Sequence, residues 1–160
     1  MARDLVMRLA IAKASAAAST VSGWVLGSDT EVTLDGHIFG KPGGERDAVD
    51  MLAALSGRSH TVITAVALIR DDRVFADMSE TVVRFRDVSP AEARRYWQSG
   101  ESAGKAGAYA IQGVGGMFVE SIEGSYSGVV GLPVYQTANL LRQAGISLLP
   151  GASREDRSQP

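Results

Sequence analysis

Leu5, Leu9, Ala12 and Ala16 recur at helical spacing along residues 3–18, which predicts that the chain opens on an amphipathic helix. The apolar run around Trp24-Val-Leu leaves that period and reads as a buried strand. Residues 31–39, EVTLDGHIF, read as two short strands joined at Asp35-Gly36, a dipeptide suited to a type I′ turn because both central positions need positive φ. The pattern therefore puts Asp29 between a core strand and a hairpin. Val49, Met51, Leu52 and Leu55 form the apolar side of a second helix that stops at Gly57. HTVITAVALI, residues 60–69, is apolar on both alternating faces, as a central strand must be. Asp71-Asp72 then turns it into a second long strand, residues 73–88, and the two should pair antiparallel. Ser89-Pro-Ala-Glu92 is a capping box with proline at the first helical position, opening a helix through Tyr96 and Trp97.

Six glycines fall within residues 100–116, between stretches that look core-like, so this segment reads as a functional loop and not as a linker. A last helix is expected over residues 132–145, with Pro133 in its first turn and Gly145 at its end. The polar residues 151–160 are expected to form a disordered tail after one domain spanning 1–150. Strands and helices alternate irregularly, which predicts an α/β or α+β domain with a mixed sheet.

Charge narrows the function classes. The 160 residues carry 16 basic and 18 acidic side chains with no basic block, so a nucleic-acid partner held through its phosphates is not expected. The chain has no cysteine and two histidines, His37 and His60, which excludes thiolate chemistry and a histidine-rich metal cluster. Both histidines lie in strand-like segments and read as partly buried surface residues. Asp4, Arg8 and Lys13 interrupt the first apolar run, and no later run is long enough to span a bilayer, so the expectation is a soluble cytoplasmic protein with no membrane partner.

The candidate chemistry starts at Asp29. A short acid at a strand end can accept a proton from water, ligate a hard divalent cation, or simply cap the following turn. Lys41, in Gly40-Lys-Pro, is either a point charge for a phosphate or a solvated turn lysine. Lys105 sits among glycines in AGKAGAYAIQG, which lacks the spacing of a Walker loop but can still bring amides and a cation to an anion. Gln112, in the same run, offers the donor and acceptor that read a nucleobase edge, or satisfies backbone groups of its own loop. Glu120, Glu123 and Ser125 read as a sheet edge meeting a turn, with no assigned chemistry.

These motifs occur together and in order. SDT at 28–30, GKP at 40–42, LSGRSHTVITAVAL, TVVRFR, GKAGAYAIQG and VESIEGSYSGVVGLP give a sequence that resembles the Maf family of nucleoside triphosphate pyrophosphatases from about Leu5 to Gly145. The resemblance implies an α/β fold with a mixed, twisted sheet flanked by helices, similar to the inosine triphosphate pyrophosphatases. It implies cleavage of a nucleoside triphosphate to the monophosphate and pyrophosphate with a divalent metal, Mg2+ or Mn2+. By the same resemblance Asp29 is the general base and a metal ligand, and Lys13, Lys41 and Lys105 are substrate-facing cations. Thr30 and Gln112 match the branch acting on dTTP and UTP, in contrast to a branch acting on 7-methyl-GTP with glutamine and glutamate at those positions.

The chain departs from the family pattern in three places. The family's N-terminal strand and serine- and arginine-containing loop have no counterpart, so an N-terminally truncated domain is expected, through a start set too far downstream or a natural loss. Ala12 stands where a glutamate is usual, and Gly104 where an aspartate is usual. A second reading follows from these departures: an inactive nucleotide-binding or regulatory protein of septum formation. A further expectation is a remnant that folds only as a homodimer.

Overall fold

The β-branched run at residues 60–69 becomes the middle of a sheet. It lies in β3 (Ser59–Arg70), where every side chain from Val62 to Ile69 is buried, as a strand covered on both faces requires. In the computed structural model, which describes residues 1–149, β3 is flanked by β1 (Val25–Leu34) and β4 (Arg73–Phe85). β2 (His37–Phe39) and β5 (Val119–Glu123) complete the order β2-β1-β3-β4-β5. The expected tail at 151–160 lies outside the described residues.

The α/β arrangement of a sheet flanked by helices is as expected, while every described strand pairing is antiparallel. The reason is visible in the connections. Asp35-Gly36, with φ of 51° and 82°, makes the expected tight turn into β2. Helix α2 (Glu45–Leu55) then returns the chain to the end where β1 finished, so β3 begins opposite Thr33 and runs back against β1. The turn at Asp71-Asp72 reverses it again into β4.

Helix α1 (Ala2–Ala18) covers one face of the sheet. Its buried stripe is Val6, Ala10 and Ala14, whereas Leu9, Ala12 and Ala16 of the expected stripe are exposed. The correction has a steric cause. A Cβ on Gly27 of β1 would lie 2.6 Å from the Ala10 carbonyl oxygen and 2.7 Å from the Ala14 nitrogen, so helix and strand touch backbone to backbone. Only alanine on the helix and glycine on the strand permit that approach, and apolar size alone does not choose the face.

The opposite face carries α2 and α3 (Pro90–Gln98) over a core of Leu52, Leu55, Val83, Phe85 and Phe118. The capping box at Ser89 and Glu92 forms as expected. Alongside lie α4 (Tyr126–Val130), a short helix with no clear sequence signal, and α5 (Val134–Gln143), which packs Leu140 on Val66 and Leu68. Among the described residues no helix is long and apolar enough to cross a membrane.

Candidate functional site

Asp29 lies inside β1 and not at a strand end, because Gly27 and Ser28 continue the ladder opposite Ala67 and Val66. What makes this part of the strand accessible is its other edge. β2 pairs only with Val32, Thr33 and Leu34, so among the described residues the first seven of β1 have β3 on one side and no strand on the other. A cleft of about 220 Å³ opens along that edge, and Lys13, Asp29, Thr30, Lys41, Lys105 and Gln112 all line it. Six residues separated by up to 99 positions thus meet in one cavity.

From α1, Lys13 reaches the edge because Gly27 lets the helix lie directly on β1. Its ammonium donates to Asp29 Oδ1 at 2.5 Å and to the Ser28 carbonyl at 3.3 Å, a backbone acceptor that no neighbouring strand satisfies. The Asp29 side chain is only 11% exposed, and its Oδ2 is buried without a hydrogen-bond partner. That atom does not cap a turn. Glu31 follows two residues later on the same face of β1. Its carboxyl is held above the ordinary range, first by burial and then by the Asp29 charge, with Lys13 opposing. Glu31 was missed by motif reading, although the period of two in a strand would have placed it beside Asp29.

Thr30 points to the other face. Thr64 donates its hydroxyl hydrogen to the Gly128 carbonyl at 2.7 Å, so in the 2.9 Å contact between the two threonines Thr30 is the donor. Ser28 Oγ lies 2.7 Å from the Gly131 carbonyl oxygen. These bonds moor Gly131 to β1 and Gly128 to β3, and Val129 and Val130 between them line the cleft. The Thr30 hydroxyl is left as an acceptor only.

Lys41 and Lys105 come from two loops stitched together, the Gly107 N–H donating to the Gly40 carbonyl at 3.1 Å. Both lysines are exposed, and among the described residues neither has an ion-pair partner. Tyr109 adds an aromatic wall whose hydroxyl meets His60 Nε2 at 2.8 Å. His60 corrects the expectation of a surface residue. It is 2% exposed and packed edge-on against Phe85, and burial pushes its pKa down to about 4. It is therefore neutral at pH 7. His37, on the short edge strand β2, is exposed.

Among the described residues no group of three or more His, Cys, Asp or Glu side chains is placed to hold a metal ion. The carboxylate that lines the cleft is Asp29; Glu31, on the same face of β1, does not line it. An ion of the Mg2+ type commonly takes one or two carboxylates and completes its shell with water and substrate phosphates, so Asp29 fits a cation that binds together with a nucleotide. It does not fit a self-contained protein cage.

Residues 1–144 match the family model described as Maf-like protein. A dTTP/UTP pyrophosphatase of Hydrogenovibrio crunogenus is 48% identical over 144 residues, covering 88% of this chain and 75% of that protein. A dTTP/UTP pyrophosphatase of Bordetella avium is 56% identical over 124 residues, covering 78% of this chain and 62% of that protein. A third relative of the same name, from Methylococcus capsulatus, is 50% identical over 157 residues, covering 95% of this chain and 78% of its own length.

Proposed function

The chain belongs to the family of Maf-like proteins, and from that premise we propose that it is a hydrolase that cleaves dTTP or UTP to the nucleoside monophosphate and pyrophosphate. The observation that carries this reading is the cleft itself, in which a buried carboxylate with one free oxygen faces the same cavity as three lysines and an exposed amide. The triphosphate lies along Lys13, Lys41 and Lys105. Water attacks the α-phosphorus while the bond to the bridging oxygen breaks, Asp29 takes the water's proton, and the lysines stabilise charge on the phosphates and the departing pyrophosphate. Lys13 holds the carboxylate in place through Oδ1. When bound, a divalent cation held by Asp29 would neutralise phosphate charge in the same place.

Gln112 supplies the base preference. A pyrimidine of the uracil or thymine type presents a carbonyl next to a ring N–H, and a primary amide carries the complementary donor and acceptor. The test is incubation of the purified chain with dTTP, UTP, CTP and GTP in the presence of Mg2+, with identification of both products. Monophosphate and pyrophosphate from dTTP and UTP are expected. Nucleotide that binds without cleavage would reduce the protein to a binding module, and release of inorganic phosphate alone would overturn the reading.

A further inference from the structure

The loop that carries Gln112 is wrapped around one carboxylate. Glu101 Oε1 accepts the Val114 N–H at 2.9 Å, and Oε2 accepts the Gly115 N–H at 2.8 Å. Oε2 also accepts the Tyr96 hydroxyl at 2.6 Å, and the Tyr96 oxygen in turn accepts the Ala110 N–H at 3.0 Å. Gln112 is therefore bracketed. Ala110, two residues before it, is held through Tyr96, and Val114 and Gly115, just after it, are held directly.

The glycines of this loop follow from the same carboxylate. A Cβ on Gly113 would lie 2.1 Å from Glu101 Oε1, and one on Gly115 would lie 2.4 Å from the Tyr96 oxygen. Neither residue has a positive φ, Gly113 taking an extended −116°, so the space is what excludes a side chain there and not the backbone angle. The Tyr96 hydroxyl, followed by the Gly115 and Val114 N–H groups and the charge of Lys105, also holds the Glu101 carboxyl below the usual carboxylate range, so it is ionised at neutral pH and accepts all three hydrogens.

We propose that Glu101 is a positioning residue for base recognition: it fixes the backbone arch from which Gln112 presents its amide to the nucleotide. The inference rests on the reading of Gln112 as the base-contacting residue. Glu101 itself does not line the cleft. Lys13 and Asp29 belong to α1 and β1, elements that this loop does not build, and the Lys105 part of the loop is tied separately through the Gly107 N–H to the Gly40 carbonyl, so loss of Glu101 bears on binding of the base more than on the chemical step.

In Glu101→Gln the amide keeps one acceptor and turns its NH2 towards a backbone N–H, so one arm of the bracket is lost. The expected result is a KM for dTTP and UTP raised by about tenfold with kcat altered less than about threefold, and a reduced preference for these nucleotides over GTP. Gly113→Ala, which expels the carboxylate sterically and leaves Glu101 intact, should reproduce that pattern. Faster hydrogen exchange at the Val114 and Gly115 amides, with core strands unchanged, should accompany both.

The deciding comparison is made in a Gln112→Ala background. If Glu101 acts through Gln112, adding Glu101→Gln there costs little further selectivity, since coupled residues are not additive. An equal loss in both backgrounds overturns the proposal, as does a Glu101→Gln variant with unchanged KM and unchanged amide exchange. If Gln112→Ala alone leaves base preference untouched, the base-reading role fails and this inference fails with it. If Gln112→Ala lowers preference while Glu101→Gln does not, only the positioning role of Glu101 falls.

Discussion

Lys13 Nζ stands 2.5 Å from Asp29 Oδ1, while Oδ2 of the same carboxylate is buried and unpartnered. One end of the side chain is anchored, and the other is enclosed with no hydrogen-bond partner among the described residues. An isolated buried carboxylate oxygen is costly unless a proton, a cation or a substrate-bound water meets it, so Oδ2 as it stands adds nothing to stability.

Asp29→Asn preserves the shape of the side chain and its anchor but removes a base that works at neutral pH. We expect kcat to fall by about a hundredfold or more, with only a small change in thermal stability, because loss of the ion pair to the exposed Lys13 and relief of a buried charge oppose each other. Steady-state pyrophosphate release and a melting curve on the same preparation check both halves. An asparagine variant with parental kcat would remove Asp29 from the mechanism.

Gly27→Ala tests whether backbone contact between α1 and β1 sets the site. The added methyl meets Ala10 and Ala14 backbone atoms under 3 Å away, which cannot rotate aside, so the helix must move. Overpacking of this kind costs about 1–3 kcal/mol, and the shift should also pull Lys13 from Asp29 and lower kcat. Calorimetry together with activity measured well below the melting temperature separates the two effects. Equal values for variant and parent would show that α1 is not held by this contact.

Gln112→Glu replaces a donor and acceptor by acceptors alone. Activity on dTTP and UTP should drop by about tenfold or more relative to a nucleotide whose base edge is rich in N–H groups, such as 7-methyl-GTP, since each mismatched buried polar contact costs about 1–3 kcal/mol. The measurement is kcat/KM across a panel at fixed Mg2+. Unchanged ratios would show that Gln112 does not read the base.

His60 gives a pH dependence of stability with a definite sign. Its pKa falls from 6.5 to about 4 on folding through burial, so between those values the unfolded chain binds a proton that the folded chain refuses. Stability from this residue is complete above pH 6.5 and declines as pH falls towards about 4, by about 3 kcal/mol over the full window at 1.36 kcal/mol per unit. Tyr109 must keep a hydrogen-bond partner, so His60→Gln is the informative variant. Denaturant melts between about pH 5 and 6.5, where the raised Glu31 carboxyl is common to both proteins, should show a flatter stability profile for the variant than for the parent. Parallel profiles would mean that His60 charges equally in both states.

Features set by neighbours along the chain were legible in the sequence. The Asp35-Gly36 turn, the Ser89–Glu92 capping box and the central strand at 60–69 each depend on a few adjacent side chains, and each forms where expected. The residues of the cleft were legible as motifs, with Asp29, Lys41, Lys105 and Gln112 lying in short recognisable runs. Sequence could not say that Asp29 is mid-strand, because exposure there depends on β2 being too short to cover β1. Nor could it say which face of α1 is buried, because two alanines and a glycine in contact leave no hydrophobic signal. Glu101 carries no motif at all, since its partners, Tyr96, Val114 and Gly115, meet it only once the loop has closed. Local propensity and spacing are properties of the chain, whereas the edge of a sheet, a backbone contact and the seat of a carboxylate exist only where distant segments exclude water together.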